Sequence, residues 1–315
     1  MSTPRVGIIG CGGIAYAHRD GYRANGIEPI AFMDTNKAAA EALAKDVKNA
    51  KVFDTAQALI ESGMVNVVSV CSPPAFHEEA TVLSLRNGIH TLCEKPLAHT
   101  IESGKNIAAA AASSSALCMT AFRHRFLASM VKIRSLLDED RIGSVVFFNN
   151  IFCGHAPGMK DKWFSKKALA GGGSMLDTSS HSADLFRFLV GEVAEQKAVT
   201  NRRMENADVE DSAVLIVKAD NGAIGSMTSS WMAGTGEAYV DIMGEKGRIF
   251  YDYIKGTEVR VELLNGEPEV HNVEVTWGFK EEIEHFLGAI EGKYPLACTA
   301  HDGLRSLEII MRCYS

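Results

Sequence analysis

Asp177 and His181, four residues apart, and a lysine far upstream, Lys95, are of the types and in the settings that move protons and stabilise charge. Three glycines, Gly171-Gly172-Gly173, lead into a helical pattern that carries Asp177-Thr178-Ser179-Ser180-His181. At i and i+4 the carboxylate and the imidazole share one helix face. Imidazole titrates near working pH and suits proton transfer, with a neighbouring carboxylate to orient it or stabilise its charged form. An ordinary helix pair has the same spacing. Lys95 stands in Cys93-Glu94-Lys95-Pro96, at the end of an apolar run. Ligands of open α/β sheets bind outside the carboxyl ends of the strands, which aims Lys95 into that crevice; the alternative is a surface lysine at a strand end. Pro96 keeps Lys95 out of the helical region and permits a cis bond between them.

A third constellation binds and does not react. Gly10-Cys11-Gly12-Gly13-Ile14-Ala15 fits G-x-G-x-x-A, directly after an apolar run and at the start of a helical pattern. Gly10 permits the tight turn, Gly12 lets the backbone approach a pyrophosphate, and Ala15 lets the helix lie close to the sheet. The helix start offers free N–H groups and a positive dipole end. Asp34 ends the second apolar run, 24 residues beyond Gly10, where a carboxylate accepts hydrogen bonds from a ribose diol and repels a 2′-phosphate. NAD is expected over NADP, with Lys37 leaving some tolerance.

The elements that must hold these residues alternate up to about residue 122. Strand patterns at 6–10, 29–34, 51–53, 65–72, 89–94 and 117–122 are separated by helical ones at 14–24, 37–47, 55–62, 76–87 and 101–113. Strict alternation implies a doubly wound parallel sheet. Beyond Arg123 the texture changes. A helix at 128–139, a β run at 145–153, a loop rich in Gly, Pro and Lys, and a helix from near Gly173 come first. Strand patterns follow at 197–201, 213–218, 224–231, 239–243, 248–253, 258–264 and 270–275, in the manner of an antiparallel sheet, then helices at 279–291 and 302–311. The expected domains are 1–122 and 123–315, in keeping with a 315-residue chain.

Composition narrows the function classes. With 46% hydrophobic and 23% charged residues the chain reads as globular, and no apolar run nears the roughly 20 residues of a membrane span. A net charge of −7 with interspersed signs argues against nucleic acid or an anionic membrane as partner. The start, Met-Ser-Thr-Pro, passes straight into the first apolar run and leaves no room for a signal peptide. Seven cysteines without a C-x-x-C read as reduced thiols of a cytoplasmic protein, and ten histidines without H-E-x-x-H spacing give a metal no support.

Taken in order, the opening G-C-G-G-I-A-Y-A-H, Ser72-Pro73-Pro74-Ala75-Phe76-His77, Glu94-Lys95-Pro96, the approach from Trp163 to Gly173, and Asp177-x-x-x-His181 resemble the glucose–fructose oxidoreductase/inositol dehydrogenase/rhizopine catabolism (Gfo/Idh/MocA) family over essentially the whole chain. The resemblance implies an N-terminal Rossmann domain and a C-terminal α+β domain whose large open antiparallel sheet packs in dimers or tetramers. It implies NAD(P)-dependent oxidation of a hydroxyl on a sugar, inositol or related polyol. It places the catalytic groups at Lys95, Asp177 and His181, with the histidine as base, the lysine stabilising the oxygen, and the aspartate on a neighbouring hydroxyl. Cofactor contacts are expected at Gly10, Gly12, Gly13, Ile14, Asp34, Ser72, Pro73, His77, Glu94 and Lys95. Substrate contacts are expected at Lys95, Arg123, Trp163, Asp177 and His181. Trp163 lies against a sugar face or is a hydrophobic plug in the domain interface; Arg123, His124 and Arg125 are candidate substrate contacts, with salt bridges the alternative for Arg123 and Arg125. Ser179 stands where the family often has Gly, and Pro74 where it often has Asn. The fold family also contains NAD-dependent glycosidases and non-catalytic NAD-binding regulators; Lys95 and His181 speak against the second.

Overall fold

The computed structural model describes residues 3–314, and the chain divides into two compact units. The first takes the residues up to Arg123 together with Phe279–Leu307; the second takes His124–Gly278 and the stretch from Glu308. In the first, β1 (Val6–Ile9), α1 (Gly13–Ala24), β2 (Ala31–Met33), α2 (Lys37–Ala44), β3 (Lys51–Phe53), α3 (Ala56–Glu61), β4 (Val67–Val70), α4 (His77–Arg86), β5 (His90–Glu94), α5 (Ile101–Ser113) and β6 (Cys118–Ala121) alternate as expected. The six strands form one parallel sheet in the order β3-β2-β1-β4-β5-β6. β1 and β4 are buried at every position, which is why their sequences read as unbroken apolar runs with no alternation. The strand order reverses between β1 and β4, and the carboxyl ends at that reversal form the binding crevice of such sheets.

The second unit opens with α6 (Ala128–Asp138) and β7 (Val145–His155). Two 3₁₀ turns, Pro157–Asp161 and Trp163–Ser165, lead to three short helices: α7 (Lys167–Ala170), α8 (Ser174–Asp177) and α9 (Ser179–Leu189). Then come β8 (Val193–Asn201), β9 (Ser212–Ala219), β10 (Ile224–Ser230), β11 (Met232–Gly244), β12 (Gly247–Asp252), β13 (Glu258–Leu263) and β14 (Glu269–Asn272). They form an eight-stranded sheet, β14-β13-β12-β11-β7-β10-β9-β8, antiparallel but for one parallel pair, β7 with β10. The antiparallel pattern expected holds for every other pair; β7 lies between the consecutive strands β10 and β11, which run opposite to each other, so one of its neighbours must run with it. In β9 Ala213, Leu215, Val217 and Ala219 are buried while Val214, Ile216 and Lys218 are exposed, the alternation of a sheet covered on one face. Gly225 on β10 gives the Phe186 ring of α9 its room, since a Cβ there would lie 2.7 Å from that ring.

β11 begins seven residues earlier than the pattern suggested, because a register shift between Met232 and Glu237 absorbs Gly234 and Gly236 into the pairing with β7. Helix α10 (Phe279–Ile290), expected in the second domain, belongs to the first unit. It packs on α1, where a Cβ on Gly21 would lie 2.7 Å from the Ile283 side chain, so glycine sets the approach. Helix α11 (Ala300–Met311) follows. Among the described residues no helix is long and apolar enough to cross a membrane.

Candidate active site

In the first unit the glycine corner is built by neighbouring strand ends. Gly10 sits at φ +86°, a left-handed conformation, with its N–H on the Met33 carbonyl at 2.8 Å. A Cβ on Gly10 would collide with the Ser72 backbone at the end of β4. Gly12 caps α1 without a side-chain hydrogen bond, Gly13 opens the helix, and no acidic residue lies in its first turn. A Cβ on either Gly12 or Gly13 would meet nothing within 4 Å, and Ile14 beside them is exposed. The first N–H groups and the dipole of a twelve-residue helix are thus open to an anion. The Ser72 hydroxyl, enclosed at the same corner, has no hydrogen-bond partner in the protein, and Pro73 follows it. The residues present fit a dinucleotide pyrophosphate.

Asp34 does more than its position promised. Its Oδ2 accepts the Cys11 N–H at 2.7 Å and its Oδ1 the Asn36 N–H at 2.7 Å, so it braces the corner as well as presenting charge beside it. Burial, aided by the Asp34 charge, pushes the Cys11 thiol up to about 12, which keeps it an inert thiol.

Lys95 stands at the carboxyl end of β5, partly buried, its bond to Pro96 cis. Two residues expected to line the cofactor, His77 and Glu94, shape the backbone around Lys95. His77 is wholly buried, with Nε2 2.8 Å from the Ser72 carbonyl and Nδ1 3.1 Å from that of Pro96, so it ties the β4 and β5 loops together. Burial lowers its pKa, against the pull of those carbonyls. Glu94 is also buried; Oε1 lies 2.8 Å from His18 Nε2, and Oε2 accepts the Lys95 N–H at 2.9 Å. Burial alone would raise its pKa, but the hydrogen bond and charge of His18, then Lys95, bring it below the usual value. His18 Nδ1 continues to the Ser69 hydroxyl at 3.1 Å, which Tyr22 also meets at 3.0 Å. Arg123 lies with its guanidinium over the Phe279 ring, 5.0 Å from the centroid.

In the second unit the helix expected from Gly173 is interrupted at Thr178, whose torsions stay helical, into α8 and α9. The His181 N–H turns to the Thr178 carbonyl at 3.3 Å, and the Asp177 carbonyl accepts the Ser180 hydroxyl at 2.9 Å. A serine hydroxyl bonding back in this way competes with the helix ladder. Asp177 therefore closes α8 and His181 lies in the first turn of α9. The His181 ring is buried and stacked on His124, centroids 4.0 Å apart and planes 12° apart. His124 in turn meets Phe152 at 5.3 Å and Tyr253 at 5.7 Å. One turn beyond His181, Asp184 takes a bidentate, buried ion pair from Arg125 at 2.7 and 2.6 Å. Of the two uses open to Arg125, the salt bridge is the one present, and it fixes α9. Trp163 stacks on Phe164 with centroids 3.7 Å apart, and Phe164 packs against Met204, Ala207, Val209 and Trp231.

Sequence reasoning missed Glu210, Tyr314 and Trp231. The Glu210 carboxylate accepts the N–H of Gly173 and of Met175 and the Tyr314 hydroxyl, while the Trp231 indole donates to the Thr178 hydroxyl at 3.3 Å. No local signal marks them; only the glycine triplet hinted at a close approach.

Two family models match the chain: an oxidoreductase family with an NAD-binding Rossmann fold over residues 4–122, and the Gfo/Idh/MocA C-terminal domain over 130–250. Levoglucosan dehydrogenase of Pseudarthrobacter phenanthrenivorans is 26% identical over 306 residues, covering 85% of this chain and 78% of that protein. Inositol 2-dehydrogenase 2 of Saccharopolyspora erythraea is 27% identical over 322 residues, covering 99% and 92%. Among solved structures, levoglucosan dehydrogenase in complex with NADH and levoglucosan superposes with a TM-score of 0.92 at 22% identity, over 99% of this chain and 97% of that one, a likeness of fold. The first unit is an NAD-binding Rossmann domain, and the chain belongs to the Gfo/Idh/MocA family of oxidoreductases.

Proposed function

We propose that the chain is an NAD-dependent dehydrogenase that oxidises a secondary hydroxyl of a sugar, inositol or related cyclic polyol, or reduces the corresponding ketone. The observation that carries this reading is the glycine corner, open and uncapped at the sheet's switch point, with Lys95 at a strand end of the same crevice. Its relatives with the names inositol 2-dehydrogenase and levoglucosan dehydrogenase support the substrate class.

Gly10, Gly12, Gly13 and the α1 N-terminus would hold the pyrophosphate, and Asp34 the ribose, favouring NAD over NADP. NAD, when bound, supplies the hydride acceptor. The chain's own groups manage the rest. A sugar hydroxyl is a very weak acid, so His181 takes its proton as general base while the carbon–hydrogen bond breaks and the carbonyl forms. The Lys95 ammonium stabilises negative charge as it grows on that oxygen. Asp177 binds a neighbouring hydroxyl and orients His181; Arg123 and Trp163 complete the substrate contacts. The second domain binds substrate and assembles the protein as a cytoplasmic homodimer or homotetramer through the open sheet face, where Val199, Val214, Ile216 and Ile224 are exposed. Sedimentation of the wild type tests the assembly.

A panel of sugars, inositols and short n-alkanols with NAD, read at the NADH absorbance, tests the activity. Cyclic polyols should be turned over fastest. Faster oxidation of n-alkanols overturns the substrate class, and glycoside cleavage without net NADH overturns the dehydrogenase in favour of a glycosidase.

A further inference from the structure

The glycine triplet before Asp177 has no place in the chemistry above, yet each member meets a constraint. Gly171 sits at φ +85°. A Cβ on Gly172 would collide with the Tyr314 phenol, and one on Gly173 with the Glu210 carbonyl oxygen. Gly172 and Gly173 leave the room by which Tyr314 and the Glu210 backbone reach the start of α8. That helix has four residues, too short to be stable by its own hydrogen bonds, so it leans on α9 through Thr178 at one end and on whatever holds its first turn at the other.

Glu210 holds it. The carboxylate is buried and accepts the Gly173 N–H at 3.1 and 3.0 Å, the Met175 N–H at 2.9 Å and the Tyr314 hydroxyl at 2.7 Å. The Glu210 backbone carbonyl also takes the Ser174 N–H at 3.0 Å. At the other end, Trp231 bonds Thr178 and Ser180 bonds the Asp177 carbonyl. Asp177 lies between the two clamps. Burial first, and then the Glu210 charge, raise the Tyr314 pKa, so the phenol stays a donor throughout the working range.

We propose that Glu210 and Tyr314 are positioning residues: Glu210 aims Asp177 at the substrate by fixing the first turn of α8, and Tyr314 holds the Glu210 carboxylate in the orientation that does so. The inference rests on the reading of Asp177 as a substrate-binding group. Displacement of a binding group by about 1 Å costs up to ~100-fold in rate, and a partial release through an isosteric amide should cost about 10-fold.

The test uses the full chain, NAD and the fastest cyclic polyol of the panel. Glu210→Gln should lower kcat/KM about 10-fold and Tyr314→Phe about 3-fold, while NADH affinity by fluorescence titration stays within about 2-fold. The deciding comparison is Glu210→Gln in an Asp177→Asn background. If Glu210 acts through Asp177, the double variant is no slower than Asp177→Asn alone; a group with an independent structural role multiplies the two losses. Multiplied losses overturn the inference, as does wild-type kcat/KM in both Glu210→Gln and Tyr314→Phe. Should Glu210→Gln fail to fold, Tyr314→Phe in the Asp177→Asn background carries the same comparison. If Asp177→Asn itself keeps wild-type kcat/KM, the role given to Asp177 fails, and the inference with it.

Discussion

In the proposed reaction His181 and Lys95 answer two separate needs of a hydroxyl oxidation, removal of a proton and stabilisation of the oxygen, and they should be separable from cofactor binding. Neither belongs to the glycine corner, which is built from Gly10, Gly12 and α1. His181→Ala should keep NAD affinity within a few-fold and lower kcat by about 10²–10⁴, the usual worth of a positioned base. Lys95→Ala should cost as much or more, and Lys95→Arg should not restore it, since a planar guanidinium does not replace a compact ammonium. Steady-state kcat alongside NAD titration checks both; near-normal turnover in His181→Ala removes it as the base. The sequence singles these residues out because chemistry restricts residue type and spacing at once. The protein partners of His77 and Glu94 are not legible in the same way. Glu94 precedes Lys95 and His77 ends the separate Ser72-to-His77 motif, and only the fold shows them facing inward, on His18 and on the Ser72 and Pro96 carbonyls. Glu210 and Tyr314 were illegible, since their partners stand 35 and 104 positions away in sequence.

The first turn after β1 shows how glycines of one motif do different work. Gly10 has positive φ, and a Cβ there would strike the Ser72 backbone, so Gly10→Ala is strained twice over. Gly12 has φ −74° and open space where a Cβ would be, so the folded protein tolerates alanine there. Gly10→Ala should therefore lower Tm by several degrees, reflecting a loss of about 1–3 kcal/mol. Gly12→Ala should leave Tm without ligand unchanged and weaken NAD binding at least about 10-fold, because the methyl occupies the approach of the pyrophosphate. Calorimetry of both variants with and without NAD separates the cases; a Gly12→Ala protein with wild-type NAD affinity would remove the corner as the phosphate site. The strand–turn–helix reading held here because every signal was local. It was incomplete at Thr178, where the Ser180 hydroxyl takes the Asp177 carbonyl and interrupts a ladder that i,i+4 spacing alone draws as continuous.

At the scale of the molecule, the parallel sheet was legible in its buried runs and the second sheet in its alternation, while the place of α10 was not. That helix joins α1 through contacts such as Asn25 Nδ2 to the Lys280 carbonyl at 3.0 Å, 255 positions apart, which no window of sequence contains. The same buried side chains that hold the first unit together make its stability depend on pH in a stated direction. His77 has a folded pKa below its ordinary 6.5, chiefly because burial disfavours the imidazolium. Above 6.5 the ring is neutral folded or unfolded, and it contributes no slope. As pH falls below 6.5 the unfolded chain takes up a proton that the folded ring resists, so unfolding becomes easier until the folded pKa is passed. His90 and His285 are lowered by burial too and act with the same sign. Glu94, whose folded pKa lies below its ordinary 4.5, stabilises the fold above that value and ceases to do so as acid protonates it. Two windows follow: a histidine limb beginning near 6.5 and a carboxylate limb beginning near 4.5, both falling toward acid. One group contributes at most about 1.4 kcal/mol per pH unit. Urea unfolding from pH 7.5 down to about 5 isolates the first limb, because Glu94 stays ionised there. Wild type should lose stability across it, and His77→Gln, which keeps polar atoms for both loops but cannot titrate, should lose less. Its stability at pH 7.5 is lower to begin with if the amide bonds only one loop, so the slope and not the level is the reading. An equal slope in the variant, or a wild type that gains stability on acidification, would show that the buried His77 ring is not held neutral by the fold.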